Sequence, residues 1–560
     1  MRQARFGLRV TRRHLLIACL GGTALGLASA CAAPAQPAPA TVAPAQATSA
    51  PAQPAPATSA PAAPTAAPTM APAAATKPAG PKRGGTFTVA RTGGVTEFNP
   101  FRSSIGNYAY MGALFDTLTW LDDKMNPQPG LAERWDVSAD GLTVTFKLRQ
   151  GVKFHSGREF TSADVKASWE FGSTDETATM RSMFQSVKQV ETPDKYSAVF
   201  KLGKLFPALF DMFDLLWIID KETFANRANT AIGTGPFKME RYLPNDRAEM
   251  VAFRDYWDAG KPYLDRYVLR QIPDTASLTI NLEAGSVDAI WVPSAADYLR
   301  LKAAGGKFFT MTGALGQSMF DVGMNVTRGP LQNKKVRQAI AWSIDRARFC
   351  RTSLQGQSEP SCLIWPQSSW AYFKDLEGRI GYDLDKAKAL LKEAGFENGF
   401  ETELLCSTGV GSAYTELALI MQADLKKIGI NAKVSDVDEA RYRAATTSGD
   451  IPIVMHSYGR ANRDPGTTVT AAKAWVNEKE GNWTHWNSPE WDKLRTDLNA
   501  SLDREKRLPI ARKLQEMALD ECFTTVIAPK MSPWVLGQYV KGFWYTLEDV
   551  PKVGDVWLDK

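Results

Sequence analysis

The sequence lacks the short motifs that most often carry catalysis or nucleotide binding. It contains no GxSxG nucleophile turn, no GxxxxGKS/T phosphate-binding loop and no GxGxxG dinucleotide turn after a predicted strand. These absences remove the commonest hydrolases, ATPases and dinucleotide-dependent enzymes, although an absent motif does not exclude every enzyme.

Residues that bind metals are also scarce. The chain has four histidines and six cysteines, and neither HExxH, zinc-finger nor CxxC spacing occurs. We therefore predict no metal site and no cofactor. In an exported protein Cys350 and Cys362, which flank a short polar loop, could form a disulfide. Cys406 and Cys522 could then pair or remain buried thiols, and the sequence leaves this connectivity open.

Acidic side chains are absent from the first 80 residues, and this absence accounts for the whole net charge of +6. Residues 1–31 contain five arginines, and the next stretch adds only Lys77. Residues 81–560 then carry 60 basic and 60 acidic side chains, which is no surplus of positive charge. A nucleic-acid partner is therefore not expected, because phosphate binding depends on such a surplus.

No apolar run is long enough to cross a bilayer permanently, since the candidate over residues 15–27 is short and interrupted by glycines. Basic residues precede this run and small residues follow it, which predicts a secretory signal peptide over residues 1–31. Leu27 to Cys31 resembles a bacterial lipobox, and the resemblance implies that Cys31 is lipidated. Residues 11–16 resemble a twin-arginine export motif, which leaves that route and the general secretory route both open.

Residues 32–83 are predicted to form a disordered tether. Between residues 32 and 80, 22 of 49 residues are alanine and 12 are proline, which is too little apolar bulk for a core. Because proline favours an extended polyproline conformation, the tether would hold a folded body away from a membrane. A cleavable or passive tail fits this composition equally well.

The rest of the chain alternates between strand and helix patterns. Residues 134–148 predict a β-hairpin, and Thr161–Asp164 predicts a capping box that begins a helix. Residues 385–394 carry an apolar stripe with helical spacing, and Gly395 is expected to end that helix. This alternation predicts an α/β fold class rather than a helical bundle or a β-sandwich.

Motifs spread over residues 84–545 resemble those of one protein family. The most specific run is FKLRQGVKFHSG from Phe146, followed by FTSADV from Phe160. Shorter matches in the same order include LAERW from Leu131, GTGPF from Gly233, RDYW from Arg254, GSVD from Gly285, VRQA from Val336, LKKIGI from Leu425 and NSPE from Asn487. Together they resemble the extracytoplasmic solute-binding proteins of ABC importers of the peptide, nickel and opine type.

The resemblance implies a periplasmic-binding-protein-like fold, in which two hinged α/β lobes close over a ligand and a third lobe is inserted in the first. The solute-binding domain over residues 84–560 would comprise lobe I at 84–122, 225–322 and 528–560, the inserted lobe at 123–224, and lobe II at 323–527. Most motif residues would have structural roles, and we expect His155 to be structural rather than a ligand contact.

In peptide binders of this family, an aspartate near a Gly-Trp pair binds the free amine of the peptide. Aligned on Asp464-Pro465, Tyr458 takes the tryptophan place and Ala461 takes the aspartate place. Alanine cannot pair with an ammonium group, whereas Arg460 and Arg463 would suit a carboxylate or a phosphate. Solvated arginines in a loop misaligned by one residue fit equally well, and Asp464 would then bind the amine.

Aromatic residues supply further candidates for ligand contacts. Trp483 and Trp486 lie in a polar run, and aromatic faces stack well on sugars and on apolar ligands. We therefore predict both as pocket residues. By family likeness, the opposite wall would come from Glu97, Phe98 and Asn99.

These observations predict a non-catalytic substrate-binding component of an ABC transporter. It would capture an oligopeptide or other small solute and deliver it to the transmembrane permease subunits, while a lipid anchor holds it at the outer face of the cytoplasmic membrane. Two alternatives stay open from the sequence. One is an oligosaccharide- or opine-type receptor that feeds a sensor, and the other is an exported cleft hydrolase with a carboxylate pair.

Overall fold

The computed structural model describes residues 80–95, 98–102, 105–226, 231–313, 316–408, 411–476 and 482–560. The predicted signal peptide and nearly all of the predicted tether therefore lie outside the described residues. The predicted lipidation site Cys31 and the predicted ligand contact Glu97 also lie outside them.

Strands and helices alternate along the described chain. The strands are β1 (Thr86–Arg91), β2 (Thr119–Leu121), β3 (Pro127–Pro129), β4 (Ala132–Val137), β5 (Thr143–Leu148), β6 (Val187–Asp194), β7 (Ser197–Leu202), β8 (Phe237–Leu243), β9 (Arg247–Ala252), β10 (Arg266–Gln271), β11 (Ala289–Trp291), β12 (Phe308–Met311), β13 (Ser318–Met324), β14 (Phe400–Cys406), β15 (Ile430–Asp436), β16 (Ile453–Gly459), β17 (Thr524–Lys530), β18 (Trp534–Gly537), β19 (Val540–Lys541) and β20 (Trp557–Leu558). The helices are α1 (Ile105–Leu114), α2 (Ser162–Thr174), α3 (Arg181–Phe184), α4 (Leu209–Leu215), α5 (Thr275–Glu283), α6 (Ala295–Ala303), α7 (Lys334–Ser343), α8 (Arg346–Thr352), α9 (Leu384–Glu393), α10 (Ser412–Lys427), α11 (Glu439–Ser448), α12 (Pro465–Ala471), α13 (Pro489–Leu498) and α14 (Arg504–Glu521).

Three larger sheets organise these strands. The first sheet has the order β12-β18-β11-β1-β10-β9-β8, and β1 runs parallel to both β10 and β11. The second sheet has the order β15-β14-β16-β13-β17, with β14 parallel to β15 and β16. The third sheet, β4-β5-β7-β6, is antiparallel throughout. The α/β fold class predicted from the sequence is confirmed.

The hydrophobic cores divide the molecule into two bodies. One large core joins the first and third sheets, and Phe87 from β1 and Phe146 from β5 are both fully buried in it. The other large core lies around the second sheet and its helices. We call residues 80–313 and 531–560 the first body, and residues 316–530 the second body. Because the third sheet shares a core with the first, we expect both sheets to move as one unit.

The chain passes between the two bodies twice, once between β12 and β13 and once between β17 and β18. The lobe limits expected at residues 322 and 527 fall inside β13 and β17. Both strands pair wholly within the second sheet, where β13 lies between β16 and β17.

The local predictions within the body are confirmed. Strands β4 and β5 form the expected hairpin. Thr161 and Asp164 form both halves of the capping box at the start of α2. Helix α9 buries Ala387 and Leu391, and Gly395 follows it with a φ of 80°, a conformation that favours glycine.

The four cysteines of the described chain are free thiols. Cys350, Cys362, Cys406 and Cys522 are all buried, and the disulfide between Cys350 and Cys362 considered from the sequence is not formed. Burial raises the pKa of Cys350 and that of Cys522 to about 12. Both thiols therefore stay protonated and act as small apolar side chains of the core.

Helices of the described chain are short to moderate in length, and the longest, α14, spans 18 residues. Within the described ranges, no helix combines the length and the apolar character that crossing a membrane requires. The same part of the chain contains no group of three His, Cys, Asp or Glu side chains that could hold a metal ion.

His155 is a structural residue of the first body. Its Nε2 bonds to the carbonyl oxygen of Gly235 at 3.0 Å, and its Nδ1 accepts from the N–H of Gly233 at 3.3 Å. The Nδ1 acceptor and the Nε2 donor together require the neutral ring. Burial accordingly lowers the pKa of His155 to about 4.

We predict that His155 makes stability fall as the pH is lowered from about 6.5 to about 4. In this pH window the imidazole of His155 is protonated in the unfolded chain but stays neutral in the folded protein. His155→Gln keeps a hydrogen-bond donor for Gly235 and removes the titrating imidazole. The loss of unfolding free energy between pH 7 and pH 5 should therefore be smaller by about 2 kcal/mol in this variant. Urea unfolding of both proteins at pH 7 and pH 5 measures this difference. Equal pH dependence in the two proteins would contradict the assignment.

Candidate ligand-binding site

A cavity of about 330 Å³ lies between the two bodies. The first body contributes Thr92 and Val292 to its wall, and the second body contributes Phe320, Tyr414 and Lys530. A cavity walled by two separate hydrophobic cores can change its volume when the bodies move relative to each other.

The order of the strands places these residues at the cavity. Thr92 follows β1 and Val292 follows β11, and because these two strands are parallel, their carboxyl ends lie at the same edge of the first sheet. Ligands of α/β sheets commonly bind at that edge. In the second sheet, β13 and its neighbour β17 carry Phe320 and Lys530.

Lys530 is the one charged side chain among the described residues that line this cavity. Its Nζ donates to the hydroxyl of Tyr414 at 3.1 Å and lies 5.2 Å and 5.8 Å from the ring centres of Tyr414 and Phe320. The Tyr414 hydroxyl in turn lies 2.7 Å from Oγ of Ser457 in β16. Within the described ranges, no carboxylate forms an ion pair with Lys530.

Three helices begin at the cavity wall. Thr275 begins α5, Ser294 is the N-cap of α6, and Gly411 is the N-cap of α10. The Ser294 side chain caps its own helix by accepting from the N–H of Asp297, whereas Gly411 has no side chain with which to cap α10. Helix N-termini carry partial positive charge. Carboxylates of Asp274 and Asp297 lie at the starts of α5 and α6, whereas the first turn of α10 contains no acidic residue.

The arginines predicted as ligand contacts lie in a different place, in an ion-pair cluster between the bodies. Arg463 is fully buried, and its Nη1 lies 2.6 Å from Oδ2 of Asp214 in α4. Its Nη2 lies 3.3 Å from Glu548, and Nη2 of Arg460 lies 2.8 Å from the other oxygen of the same carboxylate. We call these four residues, together with Asp211, the arginine cluster. The positive charge expected to face a ligand is thus balanced by carboxylates of the first body.

Electrostatic effects in the arginine cluster support this pairing. Burial alone would raise the pKa of Glu548, but the charges of Arg460 and Arg463 outweigh burial and hold that pKa below its usual range. Burial raises the pKa of Asp211 to about 6, against the opposing charge of Arg463. Asp211 also accepts from the N–H of Asp464 at 3.2 Å.

Asp464 caps a helix and pairs with an arginine of its own body. Its Oδ1 accepts from the N–H of Gly466 at the start of α12, and its Oδ2 accepts from Nη1 of Arg507 at 2.8 Å. Both carboxylate oxygens therefore have protein partners, and this leaves little capacity for an incoming amine. Ala461, in the place of the family's amine-binding aspartate, is fully buried.

Three of the four predicted aromatic contacts, Tyr458, Trp483 and Trp486, belong to the second core or pack against it. The Tyr458 hydroxyl donates to the carbonyl of Ile364 at 2.8 Å. In β16 it is Ser457, one residue earlier, that points to the same face as Phe320. Trp483 packs on the ring of His456 with 4.3 Å between centres, and Trp486 stacks on Phe523 with 4.6 Å between centres.

Phe98 and Asn99 form part of the first body. The Phe98 ring packs edge-on against Tyr242 with 4.9 Å between centres. The side-chain oxygen of Asn99 accepts from the N–H of Phe101 at 3.1 Å and so closes a local turn. Their role as ligand contacts stays a prediction. The same holds for the other predicted contacts, Tyr458, Arg460, Asp464, Trp483 and Trp486.

Sequence reasoning did not find Phe320, Tyr414 and Lys530. The one signal that could have indicated Lys530 is its place as a single cation after the apolar run of Thr524–Pro529. No local sequence pattern marks Tyr414 or Phe320, because each reaches the cavity through the packing of segments that are distant in the chain.

The comparisons with known proteins agree with this architecture. A family model described as "Bacterial extracellular solute-binding proteins, family 5 Middle" matches residues 126–478. The dipeptide-binding protein of Escherichia coli K12 is 29% identical over 450 residues, which is 74% of this chain and 83% of that protein.

Two solved structures share the fold. Helicobacter pylori DppA in complex with the peptide STSA has a TM-score of 0.76 and 24% identity, over 86% of this chain and 99% of that one. AgaA of A. tumefaciens R10 in complex with agropinic acid has a TM-score of 0.75 and 25% identity, over 85% of this chain and 99% of that one.

We predict that Arg463→Met destabilises the protein by about 3–5 kcal/mol, because it leaves buried carboxylates without their cation. Adding Asp214→Asn to Arg463→Met should restore part of the loss, since the pair is then removed together. Urea unfolding of the single and double variants measures both effects.

Arg443→Met is the matched control for this prediction. The Arg443 side chain is 69% exposed in an ion pair with Glu439 on α11, so its loss should cost less than about 0.5 kcal/mol. Equal losses for Arg443→Met and Arg463→Met would show that the buried cluster does not join the bodies.

Proposed function

The chain belongs to family 5 of the bacterial extracellular solute-binding proteins, and we propose that it captures its solute in the cavity between its two bodies. It is an extracellular or periplasmic substrate-binding protein of an ABC import system of the peptide type. Its fold is the mixed α/β fold of the periplasmic binding proteins. It is not an enzyme, so the hydrolase considered from the sequence is set aside.

The observation that carries the proposed binding site is the cavity itself. Its wall comes from two bodies with separate cores, joined by only two passages of the chain. A solute that contacts both walls binds the closed arrangement better than an open one. Binding therefore shifts the population towards the closed state, and this is the state that a permease would recognise.

The arginine cluster also supports closure of the two bodies. Arg460 and Arg463 belong to the second body, and Asp214 and Glu548 belong to the first. These charges are matched only when the bodies meet. The cluster thus sets the geometry of the closed state, and the solute supplies the additional binding energy.

The proposed solute is an oligopeptide or another small solute. H. pylori DppA was solved with a peptide and AgaA with agropinic acid, so proteins of this fold bind both classes. A cavity of about 330 Å³ accommodates a short peptide or a small organic acid.

We further propose that the predicted lobes move as two units, with the inserted lobe fixed to lobe I. The partner is the permease of the import system. Lipidation at Cys31 and the tether over residues 32–83 would hold the protein near that permease.

Blocking the cavity should abolish solute capture. Ala413 lies in the wall of the cavity at the start of α10, and Ala413→Trp would fill much of the space. We expect about a tenfold or greater loss of affinity for the solute that mass spectrometry identifies in the purified protein. Equilibrium dialysis of that solute against both proteins measures the loss.

Leu419→Trp is the control, because it adds a tryptophan on the solvent side of the same helix, where Leu419 is 51% exposed. Its affinity should stay within about twofold of the unsubstituted protein. Unchanged binding by Ala413→Trp would place the solute elsewhere.

Cys31→Ala should release the exported protein from the membrane fraction, because it removes the proposed site of lipidation. Cell fractionation and immunoblotting measure the distribution. Cys19→Ala, within the signal peptide, should leave the protein bound to the membrane, and the same release by both variants would contradict an anchor at Cys31.

A further inference from the structure

The charge in the wall of the cavity is one-sided. Lys530 is its one cation, and the described wall residues include no aspartate or glutamate. Residues 81–560 as a whole have equal numbers of acidic and basic side chains, so the excess of positive charge in the cavity wall is local.

The ammonium group of Lys530 is held in place but not neutralised. It donates to the Tyr414 hydroxyl and lies near two aromatic ring faces. Among the described residues, it has no carboxylate partner. A partly buried cation without a counter-charge loses hydration that an anion of the solute would replace.

The start of α10 adds to the same potential. Gly411 and Ser412 lie in the wall, and Gly411 leaves this helix of 16 residues without a side-chain cap. The positive end of the helix dipole and Lys530 therefore face the same space, and both favour a negative group of the solute.

The described residues that line the cavity include no carboxylate that could pair with an ammonium group. Asp214 and Glu548 are engaged by arginines, and Asp464 is engaged by Arg507. An ammonium group of the solute would thus meet a positive wall without a partner.

The rest of the wall suits an apolar portion of a solute. Phe320 and Leu354 line it on one side, and Val292, which is 41% exposed, lines it on the other. A solute that fits this wall has one negative end and an apolar remainder.

We infer that the solute is a carboxylate without an obligatory free ammonium group, such as an amino-blocked short peptide or a small organic acid. Its carboxylate pairs with Lys530 beside the start of α10, and its apolar part packs against Phe320 and Leu354. This inference rests on the proposed function, because it names the class of solute that the same cavity takes.

Three tripeptide mixtures of identical side-chain composition test the inference. The first is N-acetylated with a free carboxylate, the second has a free amine and a C-terminal amide, and the third is blocked at both ends. Each is incubated with the purified protein after its own solute has been removed by unfolding and refolding. Gel filtration and mass spectrometry then measure which peptides are retained.

We expect retention from the first mixture at about tenfold lower peptide concentration than from the other two. Lys530→Met should abolish this preference, and Lys530→Arg should keep it, because arginine preserves the charge. Lys433→Met, an exposed position on β15, should behave like the unsubstituted protein. Retained preference in Lys530→Arg also shows that the site tolerates substitution at this position.

The outcomes separate the inference from the proposed function. Equal retention of all three mixtures, or a preference for the free amine, would overturn the inference and leave solute capture in place. An acid preference that survives in Lys530→Met would equally overturn it. Retention of no mixture at all would overturn the inference, whereas the proposed capture is decided separately by the dialysis of the co-purified solute with Ala413→Trp.

Discussion

The fully buried guanidinium of Arg463 is the constraint that fixes how the two bodies meet. A cation removed from water needs carboxylates at contact distance, and the first body supplies them from α4 and from the segment around Glu548. These partners are distant in sequence, so the pairing exists only when the bodies are together. This contact helps to hold the two bodies in the arrangement that encloses the cavity.

Two kinds of positive charge occur between the bodies, and they differ in what balances them. Arg460 and Arg463 are balanced by carboxylates of the protein itself. Lys530 has aromatic neighbours and a hydroxyl, and these orient a cation without cancelling its charge. Recognition of a solute depends on the unmatched charge, and assembly of the closed state depends on the matched ones. The net charge of zero over residues 81–560 does not reveal this difference between matched and unmatched positive charges.

The sequence predicted what depends on neighbouring residues. The capping box of Thr161 and the hairpin of β4 and β5 follow from local spacing, and family motifs indicated the overall arrangement. The partners of Arg463 could not be predicted, because about 250 residues separate it from Asp214 and the pairing depends on tertiary packing. In β16 it is Ser457 that contacts the Tyr414 hydroxyl, because the neighbouring residue Tyr458 points to the other face of the sheet.

The position of β18 between β11 and β12 also affects how the chain can fold as it is made. The second body is one continuous segment, and all of its strands precede β18. It can therefore complete its sheet without the last strands of the chain. The first sheet, in contrast, has a gap beside its edge strand β12 until β18 (Trp534–Gly537) is in place. The first part of the chain to emerge is thus among the last to reach its final structure, and its exposed strand edges need protection in the interval.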